Sequence, residues 1–251
     1  MLAQDYFNKI GKLIETLRDT QSGAIQKAAE EIAPRLERGG ILYTFGSGHS
    51  HMIAEEIAKR AGGLLQVRAI LPYELTLDPT PYKTMYMERL EGLAEVIFAT
   101  VKIRPEDALI VISNSGRNAV PVRLAQGAKE RGIFTVALTN LTHSTGVASR
   151  TKDNRKLYEV ADVVLDSCGP LGDATIQPPG RDWAVGPVST LAGVALMEAL
   201  VCGIVEIMLA HGSEPAVLRS ANLDGGDEYN HRVLAELLER FPALKELDIT
   251  L

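Results

Sequence analysis

"GILYTFGSGHSH", residues 40 to 51, runs from Ile41-Leu42-Tyr43-Thr44-Phe45 into two glycines separated by a serine, then into His49, Ser50 and His51. Five consecutive apolar, aromatic or β-branched residues have the character of a strand buried on both faces. The small turn Gly46-Ser47-Gly48 is followed by a helical pattern over residues 50–61. Strand, tight polar turn and helix, in that order, are the start of a parallel α/β unit. The pattern recurs downstream. Residues 108–113, 133–139 and 161–166 read as apolar strands, residues 64–71 as another, and helices are expected over 82–100, 120–131, 191–209 and 232–240. The count is about five strands. The expected fold is therefore α/β: a three-layer αβα sandwich around a doubly wound parallel sheet of about five strands.

Upstream, residues 4–36 carry two apolar stripes at helical spacing, Tyr6, Ile10, Leu13, Ile14 and Leu17, then Ile25, Ala28, Ala29, Ile32 and Leu36. Gly39-Gly40 closes this segment. Two parts are expected: an N-terminal helical segment over 1–38, and an α/β domain with C-terminal helices over 39–251. The chain has 251 residues, 46% of them hydrophobic and 23% charged, with a net charge of −6. The acidic balance and the lack of a basic run argue against nucleic acid as a partner. Cys168 and Cys202 stand in neither a metal-ligand nor a redox spacing, and the first residues lack the pattern of a signal peptide. A cytoplasmic protein is the simplest reading. The most apolar stretch, 191–210, contains Glu198 and Glu206, which favours a buried or dimer-facing helix over a membrane span. Residues 169–188, rich in Gly and Pro, form a long connection that is either functional or a plain surface loop.

Two turns carry the chemistry. The first is Gly46-Ser47-Gly48-His49-Ser50; the second is Ser113-Asn114-Ser115-Gly116-Arg117-Asn118, directly after an apolar strand. Each places hydroxyls and exposed N–H groups at a helix start, where the helix dipole favours an anion. Neither is a Walker loop, and the first lacks the third glycine of a dinucleotide fingerprint. Ser50 and Asn118 taken singly are also ordinary N-caps. Two such turns on one sheet point to a phosphate site, for which Ser47, Ser50, Ser113, Ser115 and Asn118 are the candidate side chains.

The stretches "GSGHS", "ISNSGRN" and "AKERGIFTVALTN" resemble the sugar isomerase (SIS) domain, a Rossmann-like fold of phosphosugar isomerases and phosphosugar-binding regulators, and "ADVVLDSCGPLGDA" resembles the matching part of phosphoheptose isomerases. The likeness spans roughly residues 40–210. It implies a phosphorylated sugar as ligand, with Ser113 and Ser115 holding the phosphate, and a homodimer or higher homo-oligomer. His49 stands where arabinose-phosphate isomerases carry lysine, and Arg117 where they carry glutamate.

Isomerisation and elimination both require a base beside a carbonyl. "EG" at Glu91-Gly92 ahead of the second turn is similar to muramic-acid-phosphate etherases, and that likeness gives Glu91 an acid/base role. His51 and Glu55, four apart, share a helix face and form either part of the site or a solvated pair. The expected catalytic set is thus Glu91, His49, His51 and Glu55. For Glu88 and Glu95, which flank Glu91, plain surface charge is a sufficient account. His143, and His231 with Asp227 and Glu228 from a second subunit, are further candidates. Asp173, Arg181 and Asp182 are candidates for a lid. No metal and no cofactor is expected. The leading expectation is an aldose–ketose phosphosugar isomerase. Its alternatives are an etherase-like lyase on an amino-sugar phosphate and a non-catalytic phosphosugar sensor acting through a protein partner.

Overall fold

A computed structural model describes residues 1–78, 80–247 and 249. The chain opens with α1 (Leu2–Glu37), followed by β1 (Leu42–Gly46), α2 (Ser50–Glu56) and β2 (Val67–Ile70). Next come α3 (Pro81–Met87), α4 (Leu93–Thr100), β3 (Ala108–Ile112), α5 (Ala119–Glu130), β4 (Phe134–Thr139), α6 (Leu141–Thr145), α7 (Leu157–Val160) and β5 (Val163–Asp166). A hairpin of β6 (Ala174–Ile176) and β7 (Val185–Pro187) leads to α8 (Ser189–Ala210) and α9 (Gly226–Arg240). Strands β1 to β5 form one parallel sheet in the order β2-β1-β3-β4-β5.

Alternation along each strand builds the three layers. Leu42 of β1, Ala108, Ile110 and Ile112 of β3, and Phe134, Val136 and Leu138 of β4 join a core shared with α1, α2 and α8. Tyr43 and Phe45, Leu109 and Val111, and Ala137 face the other way, onto α4, α5, α7 and α9. With both faces covered, strands lacking polar alternation are what a parallel sheet requires.

Helix α1 ends in a Schellman motif: Gly40 N donates to Arg35 O (2.9 Å) and Gly39 N to Leu36 O (3.0 Å), with Gly39 at φ +81°. A side chain at Gly40 would collide with the Glu106 and Arg35 carbonyls, so this glycine lets the chain pass directly into β1. Helix α8 is long and apolar enough to cross a membrane. It is packed as a core helix, with eight residues from Ala192 to Met208 buried against its neighbours.

Several local expectations are corrected. The helix from Ser50 stops at Glu56, and the chain then turns through Lys59 and Gly62 in the left-handed region. The strand foreseen over 64–71 narrows to β2, while Leu64 bridges Val217. The mostly helical stretch foreseen over 82–100 is two helices, α3 and α4. Its break has a physical cause: the Glu88 carbonyl accepts from Val120 N (3.0 Å) at the start of α5, so α3 ends there. The Gly/Pro-rich connection contains the β6–β7 hairpin, which rests on α1 where Tyr6 Oη donates to Pro187 O (3.1 Å).

Candidate functional site

Strand order reverses between β1 and β3: from β1 the chain moves to β2 on one side, from β3 to β4 on the other. The connections diverge and leave a crevice at the carboxyl ends of these strands, the place where ligands bind in open α/β sheets. Both polar turns lie here, one after each strand.

The first turn is tight. A Cβ on Gly46 would collide with the Ser50 carbonyl, and Gly48 adopts φ +56°. Gly48 N donates to Leu75 O (2.9 Å), and His51 Nδ1 donates to Gly48 O (2.5 Å). The second turn is backed by β4 and α6. A Cβ on Gly116, at φ +57°, would meet Thr139 Oγ1 at 2.9 Å and Ser144 Oγ at 3.0 Å. Ser113 Oγ accepts from Gly116 N (3.2 Å). The N–H groups of Ser115 and Arg117 have no protein acceptor among the described residues, so they remain able to bind an anion at the start of α5.

Between the turns stands Glu88, at the end of α3. Its Oε2 accepts from Ser47 Oγ (2.9 Å) and its Oε1 from Asn118 Nδ2 (2.7 Å). Asn118 Oδ1 in turn accepts from Arg150 Nη1 (3.0 Å), and Arg150 N donates to Arg117 O (2.9 Å). Burial holds the Glu88 carboxyl above the usual carboxylate range, against the opposing pull of the Ser47 hydroxyl and of the Arg89 and Arg150 charges. Desolvation and the neighbouring Arg117 and Arg89 charges lower Arg150. Arg89, Arg117 and Arg150 form no salt bridge among the described residues. The crevice therefore combines one half-buried carboxyl with three neighbouring arginines, Arg89, Arg117 and Arg150.

The residues foreseen from sequence divide. Ser47, Ser113 and Asn118 are buried at the crevice, and Ser50 and Ser115 are half-buried in the same turns. Ser47 and Asn118 spend their side chains on Glu88, and Asn118 makes no side-chain cap for α5. His49 is exposed at the start of α2. Glu55 is exposed on the flank of α2 beside Met52 and Arg60, and no hydrogen bond joins it to His51 among the described residues. Glu91 makes no hydrogen bond to Ser47 or Asn118 among the described residues and joins a different network: its Oε1 accepts from Lys152 N (2.7 Å), and it pairs with Arg123 (3.6 Å) and Lys152 (3.5 Å). The Lys152 N–H bond, with both cations behind it, holds the Glu91 carboxyl low. Glu88, for which surface charge was a sufficient account, is the carboxylate that the fold brings between the turns. The break after α3 separates it from Glu91, so that Glu88 meets Ser47 and Asn118 while Glu91 meets Lys152 and Arg123.

His143 Nδ1 accepts from Gly172 N (3.1 Å) and anchors the connection after β5; His231, exposed on α9, has its Nδ1 2.8 Å from Asp227 O. Asp173 caps α8, accepting from Val188 N, Ser189 N and Ser189 Oγ. Among the described residues no group of three or more His, Cys, Asp or Glu is placed to hold a metal ion.

A sequence profile of the SIS domain matches residues 5–140. The chain belongs to the SIS domain family. A UPF0309 protein of Halalkalibacterium halodurans is 42% identical over 94% of this chain and 97% of its own length, and one of Streptomyces griseus is 36% identical over 95% and 96%. Among solved structures, phosphoheptose isomerase from Neisseria gonorrhoeae superposes with TM-score 0.54 at 20% identity, covering 81% of this chain and 97% of that one. A Bacteroides fragilis protein, assigned as a phosphosugar isomerase involved in capsule formation, gives TM-score 0.54 at 21% identity, covering 82% and 90%. These likenesses fix the fold of the SIS domain here as α/β with a five-stranded parallel sheet.

Proposed function

We propose that this SIS protein is a phosphosugar enzyme, an aldose–ketose isomerase whose base is Glu88. The observation that carries this reading is the Glu88 carboxyl, held between Ser47 and Asn118 across the β1/β3 crevice. The sugar phosphate occupies the second turn, with the Ser113 and Ser115 hydroxyls and the N–H groups of Ser115 and Arg117 as donors, and Ser50 closing the far side. Glu88 takes the C2 proton of the open-chain aldose, the electron pair left behind forms the C1–C2 double bond of an enediolate, the O2 hydroxyl proton passes to O1, and Glu88 returns its proton at C1. A base poised above the usual carboxylate range is better matched to a weak carbon acid at neutral pH. The Arg89 and Arg150 charges lower the energy of the enediolate oxygen. Glu91 serves as an anchor for the 150–155 segment. Exposed Phe7, Leu191 and Leu209 on α1 and α8 support pairing of two copies.

Elimination shares this first step. With one carboxyl between the turns, proton removal from C2 of an amino-sugar phosphate followed by departure of a C3 substituent is the second reading.

The test is deuterium exchange at the carbon beside the carbonyl, C2 of an aldose or amino sugar and C1 of a ketose, followed by NMR in heavy water over a panel of aldose, ketose and amino-sugar phosphates. Exchange in the native protein that Glu88→Gln abolishes is the expected result. A ketose product identifies isomerisation and an unsaturated product identifies elimination. Binding without exchange for every member of the panel would replace both with a sensor.

A further inference from the structure

We propose that Arg150 is a positioning residue that acts through Asn118 to hold the Glu88 carboxylate in the crevice. The proposal rests on Glu88 being the base, but its test does not.

Asn118 occupies the N-cap position of α5, where an Asn side chain ordinarily turns back onto its own helix. Here it makes no such bond. Its amide spans two partners instead, with Oδ1 toward Arg150 (3.0 Å) and Nδ2 toward Glu88 (2.7 Å). An amide has one accepting end and one donating end, and a guanidinium only donates. Arg150 therefore locks the amide in the one orientation the Glu88 carboxylate can use, with the donating end toward Glu88. With the amide reversed, Asn118 Oδ1 would confront a carboxylate oxygen and no hydrogen bond would form. Arg150 is itself tied to the same turn, since its N–H donates to Arg117 O (2.9 Å). The relay runs Arg150, Asn118, Glu88, Ser47, and fixes both carboxylate oxygens.

The groups facing Glu88 come from every neighbouring element. Ser47 faces it from the first turn and Asn118 from the second; Arg89 lies next in its own segment, and Arg150 reaches in from the connection before α7 with Arg117 beside it. Burial works against the ionised form, and the Arg89 and Arg150 charges and the Ser47 hydroxyl work for it.

The test is an NMR titration of the Glu88 side-chain carboxyl, labelled with 13C and assigned through Glu88→Gln, with no substrate present. Arg150→Ala should raise the midpoint by about one pH unit, because a nearby cation and an ordered donor are both lost. Asn118→Ala should also raise it. The double variant should rise less than the two single shifts combined, since both changes break one chain of contacts. Arg150→Gln retains a donor for Asn118 without the charge and should shift the midpoint less than Arg150→Ala. An unchanged midpoint in Arg150→Ala, or shifts that add fully in the double variant, overturns the relay. If Glu88→Gln kept deuterium exchange while these shifts appeared, the base would be misassigned and the relay would stand.

Discussion

Asn118 donates to Glu88 across 2.7 Å, although thirty positions separate them in sequence and they stand at the ends of different elements. This bond ties the start of α5 to the end of α3. With Ser47 on the other carboxylate oxygen, it closes the crevice over the carboxyl ends of β1 and β3. An acid placed so has lost much of its water and gained two donors, whereas Glu91 in the same short segment is held among cations.

Glu88→Gln should therefore reduce deuterium exchange by about 100- to 10,000-fold, the usual contribution of a positioned acid or base. The shape of the side chain is preserved, because a Gln can accept from Asn118 and donate to the Ser47 hydroxyl. Glu91→Gln should leave exchange near the native rate. Paired rate measurements on the two variants decide the matter, and an inverted result would move the base to Glu91.

The raised Glu88 carboxyl has a consequence for stability. In the folded protein it keeps its proton to a higher pH than in the unfolded chain. Between those two values the folded state binds more protons, so stability falls as pH rises through them. Glu88→Gln removes this dependence. Urea midpoints measured from pH 4 to pH 8 should show the variant gaining on the native protein as pH increases. A gap independent of pH would mean that the carboxyl titrates alike in both states.

The sheet was legible from residues 41–45, 108–113 and 133–139 because burial on both faces leaves an uninterrupted apolar signature. The two turns were legible because glycine and serine at strand ends mark a close approach of backbone. The base was not. Glu88, Glu91 and Glu95 lie on one acidic stretch, and nothing in their spacing tells inside from outside. What selects Glu88 is tertiary: Val120 N takes its carbonyl, α3 stops, and its side chain is left facing Ser47 and Asn118. Arg150 was likewise out of reach, since it joins the crevice through a segment without regular structure.

Gly46 should tolerate no side chain. A Cβ there would collide with the Ser50 carbonyl and sit 2.8 Å from His51 N, both main-chain groups that cannot swing aside. Gly46→Ala should cost about 1–3 kcal/mol, the usual range for overpacking a tight site. It should also displace Ser47 from Glu88. Gly92→Ala, where an added Cβ meets nothing within 4 Å, is the control and should leave stability and exchange close to native. Equal stability of the two variants in urea denaturation would contradict the packing shown for the first turn.

Asp173 gives the last prediction. It reaches across fifteen to sixteen positions to accept from Val188 N (3.1 Å), Ser189 N (2.8 Å) and Ser189 Oγ (2.7 Å), capping α8 from outside the helix. The backbone of Asp173 lies at φ +74°, a region that Asp and Asn tolerate better than most residues. Asp173→Ala loses both the cap and this tolerance, and should cost about 1–2 kcal/mol, near the upper range for a lost N-cap. Asp173→Asn keeps an accepting oxygen and the local backbone preference but gives up the negative charge at the helix start, so it should cost about 0.3–1 kcal/mol. If Asp173 served as a mobile lid, both variants would alter exchange and leave the urea midpoint untouched. The cap predicts the reverse order of effects, with stability falling further in the Ala variant than in the Asn variant.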